Sequence, residues 1–522
     1  MPLPRAPCLP RSMPAPRRNR TRAAPATLHC PAPGHPAPDP PPLRSSPSPR
    51  RHTGLHHLDT DVDAPPPPPK LPHAGSPCRI FPEPLLDYNE CEDPTPPPFL
   101  PSPAPFQRAT APFGPFLLVQ ERAVLLLLVV SAAVGSAAAA AEAAGLWKRG
   151  GTRHSVMAFH AAGDGETDDS KAFEETWNSA CSDSGGGATV YVPAGRTFLL
   201  GEIRLQGPCK SPITVQVDGD IVAPNSLWKQ KPSSLLTFYR VDNLTVDGGG
   251  QIDGRGAPWW HCYNQKKCRY RPQLVSFSFC NDLRVTNIRL KDSADKHMSL
   301  YECSQVQVHN VSIMAPGDSP NTDGITMGAS NHVRISSCNI HSGDDCVSIL
   351  TGTTDVNVTD VTCGPGHGIS VGSLGAAHEK PVLVERITVS NCRFFNTTTG
   401  VRIKSWQGGR GIANGLLFRD LNMTEVRYPI DINQFYCPQR NCPEREGGVA
   451  ITDAKFINIQ GTSSRQEAIK IRCSKSVPCH GIFLDNVDLS WANHTAPTKA
   501  CIENAQGSVA GTVKPQVRFR GP

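Results

Sequence analysis

QVQVHNVSIMAP (Gln305–Pro316) is followed at His332–Gly343 by HVRISSCNIHSG and at Asp355–Gly366 by DVNVTDVTCGPG. In each stretch Val, Ile or Leu alternates with polar residues, and Asn, Asp or Gly then interrupts the run. Alternation with period two places the aliphatics on one face of a strand. The signature recurs in NLTVDGGGQIDG, DLRVTNIRLKDS, VLVERITVSNCRF, GLLFRDLNMTEV, AKFINIQGTS and GIFLDNVDLS. Starts lie about 23–28 residues apart where nothing is inserted, and up to about 39 elsewhere. Short strands at fixed spacing also suit a sandwich, but hairpin signals such as Asn-Gly between adjacent runs are mostly missing. The pattern therefore predicts an all-β chain wound as a right-handed parallel β-helix, each coil burying its aliphatics against the next. Such a stack needs its end covered. DDSKAFEETWNSAC (Asp168–Cys181) begins with acids and carries Phe173 and Trp177 at i, i+4, which predicts an N-terminal capping helix.

The repeats occupy only part of the 522 residues. Of 52 prolines, 34 fall in residues 1–115, with few aliphatics between them. Residues 1–120 are thus expected to be a Pro/Arg-rich disordered extension, or an artefact of gene prediction. Residues 121–145 contain RAVLLLLVVSAAVGSAAAAAEAAG (Arg122–Gly145), a charged start, an apolar run and then small residues. This order resembles a secretory signal. A transmembrane anchor is the alternative, but the Ala-rich half is weakly apolar for a span. Residues 1–153 hold 16 Lys+Arg and 11 Asp+Glu, so the remainder holds 52 − 16 = 36 and 46 − 11 = 35, a net of +1. The overall excess of +6 belongs mainly to the N-terminal stretch, and nothing in the charge balance points to nucleic acid. Fifteen of the 19 cysteines lie beyond residue 153. Pairs such as Cys437/Cys442 and Cys473/Cys479 lack the company of a zinc site and read as disulfides. Beyond residue 153, six N-x-[ST] acceptors (Asn243, Asn310, Asn357, Asn396, Asn422 and Asn493) agree with secretion, and no stable membrane association is expected.

In a solenoid, positions one coil apart stack about 4.8 Å from each other. Asp323 and Asp344 are 21 residues apart, and Asp345 and His367 are 22 apart. SPNTDGI (Ser319–Ile325), SGDDC (Ser342–Cys346) and GHG (Gly366–Gly368) each make an ordinary turn when taken singly. At one-coil spacing they become a cluster of three carboxylates and an imidazole. Carboxylates this close do not all ionise easily, so at least one should hold a proton. A protonated acid beside ionised ones is what glycosidic cleavage requires, and His367 is placed to tune the acid. A flat strand would send Asp344 and Asp345 to opposite faces, so the reading requires a bend at SGDDC. In RIKSWQGGRG (Arg402–Gly411), Arg402 and Lys404 share a strand face and suit an acidic sugar. Tyr436 is a further candidate sugar contact.

SPNTDGI, GDDC, GHG and RIK, in that order on a β-helix, resemble the polygalacturonases of family 28 of the glycoside hydrolases, the plant members above all. GGGQIDGRGAPWW (Gly248–Trp260) and AAGDGETDDSKAF (Ala161–Phe173) are similar to plant members too, and the resemblance spans residues 154–515. It implies hydrolysis of α-1,4-linked galacturonan by a single inverting displacement, without metal or other cofactor, by a secreted cell-wall monomer. Asp344 matches the general acid, Asp323 and Asp345 the pair that positions and deprotonates water, and His367 the histidine supporting the acid. Asn321, Arg402, Lys404 and Tyr436 match substrate-binding positions, and Cys346 and Cys363 a disulfide between the catalytic coils. Inversion further implies acid and base carboxyls about 6.5–9.5 Å apart.

Thr326 departs from the histidine common after NTDGI, and is expected to affect subsite detail rather than the acids. KDSADKHMSL (Lys291–Leu300) is an altered form of a segment that usually carries Ser-Pro. The end, TVKPQVRFRGP, lacks the closing cysteine, which implies an unpaired Cys501. Alternatives are a hydrolase of rhamnogalacturonan or xylogalacturonan, a calcium-dependent pectate lyase on the same fold, and a non-catalytic wall-binding β-helix.

Overall fold

The structure, a computed structural model, describes residues 151–519 except 378 and 440. The Pro/Arg-rich stretch 1–120 and the signal-like segment 121–145 lie outside the described residues. All pairings between the described strands are parallel, and they sort into one sheet of 22 strands and one of 11. Parallel crossovers through twisted strands take the right-handed sense, and the chain winds as a right-handed parallel β-helix. The predicted cap is the helix Ser170–Cys181, whose Phe173, Trp177 and Ala180 are buried. Trp177 packs edge-on against Phe238, with ring centroids 5.8 Å apart, so the helix closes the end of the core.

The alternating aliphatics become vertical columns. Leu283 pairs with Val306, Val306 with Val333, Val333 with Val356, and Val356 with Ile387, all of them buried. Where the column allows larger groups, aromatic rings stack in register, as Phe418 does on Phe456 at 5.1 Å. The polar residue that ends each run also has a backbone reason. Asn287, Asn310, Asp360, Asn391 and Asn458 turn the corner at φ between 53° and 62°. Short amide and carboxyl side chains tolerate this left-handed region by bonding locally. They also bond to each other along the stack: Asn310 Nδ2 donates to Asn287 Oδ1 at 2.8 Å, and Asn458 Nδ2 to Asp420 Oδ1 at 3.0 Å. The acceptor nitrogen at Asn310, one of the glycosylation matches, is thus engaged in the ladder.

Five disulfides join pairs of described residues, Cys181–Cys209, Cys262–Cys268, Cys346–Cys363, Cys437–Cys442 and Cys473–Cys479. Cys501 is disulfide-bonded as well, which corrects the expectation that it is unpaired. Among the described residues the free thiols are instead Cys280, Cys303, Cys338 and Cys392, each buried in the stack as a small apolar residue. Among the described residues no helix is long and apolar enough to cross a membrane.

The corner ladder is testable. Asn287→Val should cost about 1–2 kcal/mol more than Asn287→Gly, because only the latter removes the penalty of a Cβ at positive φ. Urea midpoints at unchanged slope measure the difference, and equal midpoints would contradict the account.

Candidate active site

The eleven-stranded sheet carries the predicted residues. Asp323 precedes strand Ile325–Gly328, Asp344 and Asp345 precede Val347–Ile349, and His367 precedes Ile369–Leu374. These strands are consecutive neighbours, followed by Thr399–Trp406, which carries Arg402 and Lys404, and Tyr428–Tyr436, which ends in Tyr436. Residues 342–346 form a bend rather than a strand. The bend fits because Gly343 has no side chain: a Cβ there would lie 1.9 Å from the Ser319 carbonyl oxygen of the coil below. Thr322 Oγ1 accepts from the Gly343 N–H at 2.9 Å, and the disulfide Cys346–Cys363 ties the bend to the next coil. Gly368 does the same beside His367, with φ +86° and a Cβ position 2.1 Å from the Thr399 carbonyl.

The bend brings both acids to one cluster. His367 Nδ1 lies 2.8 Å from Asp344 Oδ1, and Asn321 Nδ2 donates to Asp344 Oδ2 at 3.2 Å. Asp345 is deeper, accepting from Lys404 Nζ and Ser370 Oγ, both at 2.7 Å. Asp323 accepts from Ser348 Oγ at 3.0 Å and Thr326 Oγ1 at 3.3 Å. Thr326 therefore touches an acid directly, contrary to the expectation that it would affect subsite detail alone. Thr326, Ser348, Ser370 and Arg402 are successive members of one outward column. Arg402 pairs with Asp431 at 3.1 Å, while its terminal nitrogens make no hydrogen bond among the described residues and stay available to a ligand. Tyr436 lies 5.5 Å from the Arg402 guanidinium and 5.3 Å from Lys404 Nζ, measured to the ring centroid. All eight predicted residues thus meet on one sheet.

Two further residues were not legible from their motifs. Buried Arg271 donates to the carbonyls of Ala294 (3.0 Å) and Pro320 (2.6 Å) and to Asn321 Oδ1 (2.7 Å). It thereby turns the Asn321 amide so that nitrogen faces Asp344. His297 is fully buried; the Ser293 N–H donates to its Nε2 at 3.3 Å, so Nδ1 carries the hydrogen toward the Asp323 carbonyl at 3.1 Å. Burial holds this ring down at about 4, hence neutral. Its position in KDSADKHMSL, one coil before SPNTDGI, was the available signal.

Burial, and then the Asp344 charge, push the Asp323 carboxyl up to about 8 against the pull of Lys296. Burial raises Asp344 too, but the His367 ring and Lys404 outweigh it and hold that carboxyl well below the usual carboxylate range. Burial lowers His367, yet Asp344 prevails and keeps the ring above its ordinary value. Among the three carboxyls burial thus favours a proton on Asp323, while the Asp344 charge favours one on His367. One oxygen each of Asp344 and Asp345 and one nitrogen of His367 all lie within 4.8 Å of one another. The wide gap expected of an inverting pair is therefore not found between Asp344 and Asp345, because adjacent residues in one tight bend do not separate that far. The same three groups have the types and spacing of a cation site. However, both Asp345 oxygens and His367 Nδ1 are already bonded, and the Lys404 ammonium opposes a second cation.

The raised Asp323 has a thermodynamic signature. The folded state binds its proton more tightly than the unfolded state, whose carboxyl titrates near 3.8. Its stabilising contribution is complete below that pH and is lost as pH rises toward about 8. Asp323→Asn, which keeps an acceptor for Ser348, should therefore gain in Tm relative to the parent on going from about pH 4 to about pH 8, by about 2 °C or more. A constant Tm difference across this range would overturn the assignment.

Residues 181–511 match the model of the glycosyl hydrolases family 28. A polygalacturonase of Persea americana is 40% identical over 361 residues, covering 68% of this chain and 77% of its own. An exopolygalacturonase of Zea mays is 38% identical over 371 residues, covering 70% and 90%. Among solved structures, the polygalacturonase of Erwinia carotovora aligns over 69% of this chain and 97% of its own, at 21% identity and a TM-score of 0.57. The endo-xylogalacturonan hydrolase of Aspergillus tubingensis aligns over 69% and 100%, at 24% identity and 0.59. Those two likenesses concern the fold, a right-handed parallel β-helix. The match over residues 181–511 and the 40% identity concern descent, and with them the chain belongs to family 28 of the glycosyl hydrolases.

Proposed function

We propose that this glycosidase is a secreted polygalacturonase that hydrolyses α-1,4-galacturonosyl linkages of de-esterified pectin in the cell wall, acting as a monomer. The observation that carries the reading is the juxtaposition, on one sheet, of three carboxylates and His367 with the cations Arg402 and Lys404. An acid cluster alone would suit many glycosides. Two cations on the strand that follows that of His367 select a sugar that is itself an anion.

In the proposed reaction Asp344 gives a proton to the leaving glycosidic oxygen. It is the most exposed of the three acids, and His367 supplies the proton through their 2.8 Å contact. Asp345, with Asp323 beside it, takes a proton from a water molecule whose oxygen bonds to the anomeric carbon from the opposite side as the bond to the leaving oxygen breaks. Its hydrogen and oxygen end on the two products, and the carboxylates regain their starting protons in sum. Asp345 is clamped between Lys404 and Ser370, which favours a fixed base over a nucleophile that must move onto carbon, and so favours inversion. Arg402 and Tyr436 hold the substrate carboxylate and ring. Rhamnogalacturonan and xylogalacturonan are the alternative substrates, and the endo-xylogalacturonan hydrolase of Aspergillus tubingensis shares the fold.

Purified protein should release reducing ends from polygalacturonate near about pH 5 without forming unsaturated ends, and chelators should leave the rate unchanged. Failure to release them would sink the reading, and loss of activity on chelation would favour a lyase. The first-formed product should be the β-anomer by NMR. Asp344→Asn should lower kcat about a thousandfold or more at nearly unchanged KM, since the isostere keeps shape but donates no carboxyl proton. Lys404 is buried against Asp345 (6% exposed), so Lys404→Ala should reduce kcat as well as raise KM. A pure KM effect would assign Lys404 to substrate binding alone.

A further inference from the structure

The eleven-stranded sheet continues past the carboxylates toward the N-terminus, through strands Met298–Tyr301, Gln273–Ser278, Ser234–Tyr239 and Ile203–Gln206. The outward column that holds the site hydroxyls continues with it. Thr326 pairs with Ser299, Ser299 with Ser276, Ser276 with Thr237, and Thr237 with Arg204. Arg204 thus stands in the column of Arg402, on the other side of the acids. In the adjacent outward position Tyr239 and Tyr301 lie along the same edge, two strands apart.

Arg204 is exposed, and its guanidinium lies 3.8 Å from the centre of the Tyr239 ring. Arg240, also exposed, lies 5.2 Å from Tyr239 and 5.7 Å from Phe279. Phe279 bridges the two tyrosines edge-on, at 5.5 Å from Tyr239 and 5.7 Å from Tyr301. It does so at φ 58°, a conformation in which a bulky aromatic is an outlier. The same corner elsewhere along the edge is taken by Arg240, Glu302 and Ala329. A ring kept at that corner is backbone strain that points to a use. Neither Arg204 nor Arg240 meets a carboxylate among the described residues, whereas Arg402 is paired with Asp431. Aromatic faces hold both guanidinium groups in place and leave their hydrogen-bonding edges open. That is a pre-organised receptor for a carboxylate.

We propose that Arg204 and Arg240, seated on Tyr239 and Phe279, form a distal subsite for the carboxylate of a uronic acid unit of the bound polysaccharide. Strand spacing puts it three to four strands from Asp323, about 14–19 Å, or roughly three to four sugar units from the cleaved bond. This rests on the reading of the substrate as a galacturonan. The partner is thus the remote part of the same chain, and the subsite rewards length.

The test compares kcat/KM on oligogalacturonates of about three and about eight units. Replacing both arginines (Arg204→Gln with Arg240→Gln) should lower the value on the long oligomer about five- to tenfold and leave the short one within about twofold. Arg284→Gln, an exposed charge on the other sheet, should change neither ratio. An equal loss on both lengths, or none, overturns the subsite. If the parent protein cleaves neither oligomer, the reading of the substrate fails first. Calorimetric titration of the same proteins then decides the inference: binding of the long oligomer weakened only in the double variant supports it, and any other pattern overturns it.

Discussion

A parallel ladder binds each residue of a coil to one residue of the coil before and one of the coil after. Everything else in this protein depends on that register. It converts a distance of some twenty residues in sequence into about 4.8 Å in space, and it repeats without drift as long as each coil buries the same faces. The columns of Val, Ile and Leu hold the register from inside, and the Asn and Asp corners hold it from outside. A one-residue slip would turn every aliphatic outward at once, which is why the register is so strongly specified.

The carboxylate cluster makes use of the corner, where the ladder relaxes. Strands in the stack place alternate residues inward, so two adjacent aspartates reach one cluster only from a bend. Gly343 permits that bend, the disulfide Cys346–Cys363 anchors it, and the hydroxyls of Ser348, Ser370 and Thr326 receive the acids from the strands beside it. The result is a buried charge cluster in which each carboxylate has a different environment. Asp345 has an ammonium, Asp344 an imidazole and an amide, and Asp323 two hydroxyls, with burial and the Asp344 charge outweighing the pull of Lys296. Distinct surroundings divide the roles of chemically identical groups.

Much of this was legible in advance. Period-two runs at a fixed spacing gave the winding, Phe173 and Trp177 gave the cap, and Asp323, Asp344, Asp345 and His367 fell at one-coil intervals. What escaped were residues whose work lies in contacts between distant coils. Arg271 sits in no recognisable motif and acts through Asn321, 50 residues on. His297 looks like a variant of a loop and is a neutral core group under Asp323. Composition does not distinguish the thiols of Cys280, Cys303, Cys338 and Cys392 from the disulfide cysteines, and only the pairing of side chains in the fold does.

The sequence by itself determined the winding of the fold and the one-coil spacing of Asp323, Asp344, Asp345 and His367, because both follow from periodicity, and periodicity is a one-dimensional property. The tertiary structure decided where the protons and charges reside. Asp323 rather than Asp344 carries the raised carboxyl, Lys404 belongs to Asp345 before any ligand arrives, and Thr326 is a partner of an acid. The physical reason is that burial and the distance between charges set a proton's affinity. Both depend on how deeply a corner sinks into the stack, and no spacing of residues encodes that depth.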